Sequence, residues 1–496
     1  MTPSPSSDRL PVLTRKRLKA LRALAATLGV ASLAVTGAIV AVRQLGLLQG
    51  TELDTYDSLV RRSPDLGPDE RLLVVGISDQ DIQSLSQPDI HDGTLAKALQ
   101  NLEQADPRVI ALDVGRDLPV GEGREELLRV LQESDRIIAA CTLSKASEPS
   151  LGPPPGVPDE RVAFADLPFD SRGIIRRASL VITDPLRLPQ ETAHRCNTPA
   201  ANNPLVSLGL SMALSYLQSE GIAAAPAANG EIQLGQALLK PLAEGQTAGY
   251  RRTGAIDYQV MLRYRSAQNA ASVVSLMDVL QNRVPSDQIR GRMVIIGYTS
   301  SIKKDLFQTP YSGDRDGGEP TPGAMLHAQI ASHLVSAAKG ERALIWYWPL
   351  AVEMFWMLGW SLVGGAIAWF ITKAHWFLIA EGVAVLALAG LSYLLFLQGG
   401  WVPLAPAAIA LLSTALAVVI LDRATRGGYT EALFEQMKEK VQGVIKPTVE
   451  IDQEKRARQV AEITESSYFQ DLQQRAKEIR ERRAREAEGM GGKNEK

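Results

Sequence analysis

Cysteine is almost missing from this chain: two residues, Cys141 and Cys196, in 496. No Cys-x-x-Cys or Cys/His cluster occurs, which excludes a zinc ribbon or a thioredoxin-like redox motif. Net charge is also nearly absent, at −2. That balance gives no bulk attraction to nucleic acid, and no nucleic-acid partner is expected. There is no G-x-x-x-x-G-K-[ST] loop and no H-R-D or D-F-G set, so P-loop and protein-kinase chemistry have no carrier. No nucleophile–base pair stands at motif-like spacing either. The expectation is a protein that is not an enzyme and needs no cofactor. What the chain has in quantity is apolar: 45% of its residues, gathered into a few long runs.

A hydrocarbon core of about 30 Å takes about 20 mostly apolar residues to cross as a helix. Residues 23–42 meet that length without a charge, and the basic cluster Arg15, Lys16, Arg17, Lys19 and Arg22 precedes them. The run exceeds the h-region of a signal peptide, about 7–15 residues, and no A-x-A site closes it. It reads as an uncleaved anchor. Residues 349–372, 376–397 and 402–421 form three further runs, edged by Trp346, Tyr347, Trp348, Trp376 and Trp401 in the manner of an interfacial aromatic belt. The basic residues orient the set. Residues 1–22, the Lys373/His375 connector and the tail from 422 to 496 fall in the cytoplasm. Residues 43–348 and the uncharged 398–401 connector fall outside. Glu353 and Glu381 each lie about one turn from a span end. End-of-span placement and an ion or proton role both remain open for them.

In the outside segment, Leu72–Ile77, 109–112, 137–140 and 293–297 are near-continuous apolar strands, the pattern of a sheet covered on both faces. Helical spacing over 95–102 and 125–131 separates the first three. Strand–helix alternation predicts an α/β domain with a mainly parallel sheet. The predicted fold is thus that domain, four transmembrane helices and a helical cytoplasmic tail. Residues 148–158 and 188–204 read as surface loops. Cys141 at a strand end and Cys196 in the second loop are placed where a disulfide is permitted, although spacing alone leaves pairing and two free thiols both open.

Asp79, Asp113 and Asp305 each follow a strand, and ligands of open α/β sheets sit beyond the carboxyl ends of strands. The three are expected to converge on a cleft able to take a cation or basic ligand; helix caps and turns are the alternative use of Asp there. Which metal, if any, is not fixed by these residues.

The ordered segments Leu53-Asp54-Thr55-Tyr56-Asp57, Leu73-Val74-Val75-Gly76-Ile77-Ser78-Asp79, Val109-Ile110-Ala111-Leu112-Asp113, Phe169-Asp170-Ser171-Arg172-Gly173-Ile174-Ile175-Arg176-Arg177, Gly291-Arg292-Met293-Val294-Ile295-Ile296-Gly297, Asp305-Leu306-Phe307-Gln308-Thr309-Pro310 and Pro322-Gly323 with His327-Ala328-Gln329 together resemble the CHASE type 2 extracellular sensor domain of bacterial signalling proteins. The resemblance spans about residues 43–421, including three membrane helices after the domain. Two places depart from it: Gln87-Pro88-Asp89-Ile90-His91, and an insertion over 187–204. It implies reception of an outside cue and adds Arg176 and His327 to the ligand-binding candidates, without naming the ligand.

The tail holds no histidine and is short for a catalytic domain. Residues 430–445 and 451–488 read as helices, and Phe469, Leu472, Ala476 and Ile479 make one short apolar seam. A solvated helix and a homodimeric or partner-binding coil are both compatible with it. The leading expectation is a receptor in the inner cell membrane, with both termini cytoplasmic, that signals to a separate cytoplasmic partner. The alternatives are an envelope scaffold and, with less support, an extracytoplasmic metal-dependent enzyme or a transporter.

Overall fold

The computed structural model describes residues 12–426, apart from 146–147, 185–187, 189–190, 243–247, 252–256, 268, 304 and 313–317. The helices expected in the tail lie outside the described residues. The chain opens with α1 (Val12–Gln44) and, after one turn, α2 (Gln49–Arg62). A first α/β run follows: β1 (Leu72–Ile77), α3 (Asp79–Leu85), α4 (Asp92–Gln104), β2 (Val109–Asp113), α5 (Arg124–Glu133), β3 (Ile137–Cys141) and β4 (Val162–Phe164). The middle holds β5 (Arg177–Ile182), β6 (Leu205–Val206), α6 (Leu208–Gln218), β7 (Ala224–Pro226), β8 (Ile232–Leu234), β9 (Ala237–Leu239) and β10 (Tyr258–Met261). Then come β11 (Ser272–Ser275), α7 (Leu276–Leu280), β12 (Met293–Tyr298), β13 (Leu306–Phe307), β14 (Thr321–Pro322) and α8 (Gly323–Ala338). Three long helices close the described chain: α9 (Leu350–Phe370), α10 (Ala374–Leu397) and α11 (Leu404–Arg426).

Six strands form the main sheet in the order β11-β1-β12-β2-β3-β4, and every pairing in it is parallel. Side chains alternate across a strand, so each strand feeds two cores. Leu72, Val74, Ala111, Ile138 and Ile295 face α6 and α8, while Leu73, Val75, Leu112, Ile137 and Val294 face α4, α5 and α7. This double coverage explains the continuous apolar runs. The four strands expected from sequence are present to within a residue. Two features were not expected. The late strand β12 inserts between β1 and β2, and a smaller antiparallel sheet, β10-β5-β6, adjoins the β4 edge of the main one through a bridge between Phe164 and Ser207.

Among the described residues four helices are long and apolar enough to cross a membrane: Ala26–Gln44 within α1, α9, α10 and Leu404–Leu421 within α11. They pack through Ile39, Met357, Leu388, Ala407 and Ala410. Ser361 and Thr414 share a 2.6 Å hydroxyl contact between α9 and α11, and Ser361 also donates to the Ser32 carbonyl of α1 at 3.4 Å.

Candidate functional site

The carboxyl edge of the main sheet is shaped by two glycines. Gly297 of β12 is in register with Asp113, the last residue of β2. A Cβ on Gly297 would lie 2.7 Å from the Ala324 Cβ, and one on Gly323 would lie 2.8 Å from an Asp305 carboxylate oxygen. Only bare backbone at both positions lets the start of α8 reach the strand ends. The Gly323 N–H donates to the Asp305 carbonyl at 3.1 Å. His327 lies four residues further on, on the same helix face, and is 1% exposed with no partner for Nδ1.

Asp113 and Asp305 therefore flank one helix start, with His327 a turn below. Burial alone pushes the Asp113 carboxyl up to about 7. Burial and then the Asp113 charge push Asp305 up to about 6, against the pull of His327. Burial takes His327 down to about 4, opposed by Asp305, the Ala165 backbone and Asp166. Among the described residues neither aspartate draws stabilisation from a hydrogen bond, so the pair can hold a proton near neutral pH or accept a positive group. Among the described residues no group of three or more His, Cys, Asp or Glu side chains is arranged to hold a metal ion.

Asp79 and Arg176 are used elsewhere. Asp79 starts α3, and its carboxylate accepts from the Ser300 hydroxyl and, at 2.8 Å, from Ser301. Those bonds hold it below the usual carboxylate range. It pins the loop after β12 instead of joining Asp113 and Asp305, because a hydroxyl pair already satisfies it. The expected convergence of three aspartates is thus a convergence of two. Arg176 is 1% exposed and forks onto Asp57 with two 2.7 Å bonds, while donating to Asp170 at 3.0 Å. It ties β5 to α2 and lies outside the crevice.

That last contact belongs to a second site, the joint between the sheet domain and the membrane-length helices. Arg43, in the last turn of α1, is 1% exposed. Its guanidinium grips Glu52 of α2 at 2.7 and 2.8 Å, Glu353 of α9 at 2.5 Å and the Ala248 carbonyl at 2.6 Å. Tyr56 of α2 is fully buried, donates to the Leu262 carbonyl at 2.8 Å, and meets the rings of Phe396 and Trp401 edge-on at 5.6 and 5.1 Å. The 398–401 connector is held to the segment before α9 by Trp346 N–H to the Gly399 carbonyl, 2.8 Å, and Trp401 N–H to the Trp346 carbonyl, 2.9 Å. Sequence reading missed this joint. The signal was present: a lone arginine ending one apolar run and a lone glutamate in the first turn of the next. Glu353 is therefore an ion-pair partner, whereas Glu381 is 5% exposed with neither oxygen bonded among the described residues.

Cys141 and Cys196 are joined as a disulfide, with Cα atoms 6.3 Å apart. Beside it, Ser150 Oγ lies 3.0 Å from His194 Nε2. This contact resembles a nucleophile and its base, but the Cys196 N–H donates to His194 Nδ1 at 3.2 Å. The ring proton must then sit on Nε2, facing Ser150, where a general base would need a lone pair.

No curated protein and no solved structure matches the chain. A family profile, the CHASE2 domain, matches residues 34–366. That segment runs from the middle of α1 through both cores, the crevice and the Arg43 joint into α9. Spanning more than half of the sequence, it settles the affiliation: the chain belongs to the CHASE2 domain family, a family of sensor domains.

Proposed function

We propose that the protein is a multi-pass receptor of the cell membrane. Its sheet domain lies outside the cytoplasm, and both of its termini lie inside. A cue received by the domain passes through the spans and tail to a separate output protein, without catalysis by this chain. The observation that carries the reading is the Arg43 joint, in which one buried guanidinium links α1, α2, α9 and the 248–251 loop. A rearranged domain cannot move α2 without moving the ends of two spans, and packed interfaces of this kind switch between discrete arrangements. Orientation is supported by the basic residues before α1 and in the 373–375 connector, and by docking of the uncharged 398–401 connector on the domain side.

The test is crosslinking of full-length chains in native membranes through their tail lysines. The pattern is expected to differ between the wild type, an Arg43→Met variant and a variant lacking residues 63–340. The same pattern in all three would overturn the relay. A protein recovered with the domain in constant stoichiometry, whatever the state of the tail, would favour an envelope scaffold.

A further inference from the structure

A cavity of about 660 Å3 opens beyond the carboxyl ends of β2 and β3. Its walls are residues 117–118 after β2, residues 149–150 and 152–157 after β3, and Glu191, Thr192 and His194 of the insertion. We propose that this cavity binds a small amine with a compact apolar body. The proposal takes its meaning from the sensor reading, although binding itself does not depend on it.

Size and rigidity come first. The volume falls in the range of small-molecule sites, about 300–1,000 Å3. Pro153, Pro154 and Pro155 form one apolar wall, and proline's fixed φ limits its collapse. The wall from the insertion is tied to β3 by the Cys141–Cys196 bridge.

Charge decides the class of ligand. Glu191 accepts from the Ser144 hydroxyl at 2.6 Å and from the Ser150 and Leu188 N–H groups at 2.5 and 2.8 Å. The Ser144 bond leads in drawing its carboxyl down to about 2, so it remains ionised and acts on a ligand by charge. Asp117 accepts from the Leu118 N–H through one oxygen, at 2.9 Å, and its side chain lines the cavity. Burial lowers His194, which favours the neutral ring. No lysine or arginine occurs among the described lining residues. Arg124, which reaches the Asp117 carbonyl at 3.2 Å, is paired with Asp92. Two anions, with no cation among the described lining residues, favour an ammonium group and repel a carboxylate. The wall that would respond reaches the sheet through Cys196 and β3.

The experiment is isothermal titration of the full chain in nanodiscs with 2-phenylethylamine, using phenylacetate and 2-phenylethanol as controls of matching shape. The amine should saturate, with both controls weaker by roughly thirtyfold or more. Asp117→Asn should weaken the amine about tenfold. Thr192→Trp, which fills the mouth from an exposed position, should abolish binding while circular dichroism and the disulfide stay unchanged. Equal binding of either control, amine binding untouched by Thr192→Trp, or no saturation by about 10 mM amine would overturn the proposal. Amine binding without any change in tail crosslinking would leave the site standing and count against the relay alone.

Discussion

Arg43→Met is the sharpest test of the joint, because methionine keeps much of the arginine stem and removes only the charged fork. The guanidinium makes bonds of 2.7 and 2.8 Å to Glu52, 2.5 Å to Glu353 and 2.6 Å to the Ala248 carbonyl. Glu52 and Glu353 are each 2% exposed. Arg251, whose guanidinium stands 3.9 Å from Glu353, is too far to replace the direct bonds that Arg43 makes. Stranding a buried carboxylate by deleting its partner costs about 3–5 kcal/mol. For a domain of this size that is a fall in Tm of roughly 6–10 °C. The assay is thermal unfolding in nanodiscs, followed by near-ultraviolet circular dichroism. The triple variant Arg43→Met, Glu52→Gln, Glu353→Gln removes the stranded charges and should recover most of the loss. Unfolding of Arg43→Met within about 0.5 kcal/mol of wild type, or no recovery on neutralising both glutamates, would refute a buried ion pair at the joint.

Three further outcomes are expected. Burial disfavours ionised Asp113 in the folded state, so its contribution is intact below pH about 4 and is lost as pH rises through about 7. Asp113→Asn should therefore raise stability at pH 8 by about 1–2 kcal/mol, after discounting for solvent near this half-buried group, and change little at pH 4. Melting curves at the two pH values check it, and an equal gain at both would contradict the burial argument. Replacing Cys141 and Cys196 by alanine opens a loop spanning 55 residues and should cost about 2–4 kcal/mol, read by denaturant titration against the oxidised chain. Gly297→Ala places a methyl group 2.7 Å from the Ala324 Cβ. It should cost about 1–3 kcal/mol and loosen the start of α8, seen as faster amide exchange at Ala324 and Met325.

Much of this protein is legible without coordinates, because the features concerned are local. An apolar run shows its own length, so the four membrane-length helices can be read from α1, α9, α10 and α11 directly. A strand buried on both faces carries its signature in a handful of neighbours, as β1 and β12 do. Where a feature is nearly all apolar or mixed in kind, local pattern fails: α8 is buried over its whole length despite His327, Gln329, Ser332 and His333, and α2 hides its docking face in a short amphipathic stretch after the first span. What only tertiary structure decided is every partnership between distant positions. Arg43 meets Glu353 across 310 residues, and β12 pairs with both β1 and β2. Asp79 is drawn off by Ser300 and Ser301, while Asp113 and Asp305 are left together. Charge and hydrogen-bond complementarity act through space, and no local window of sequence contains both partners.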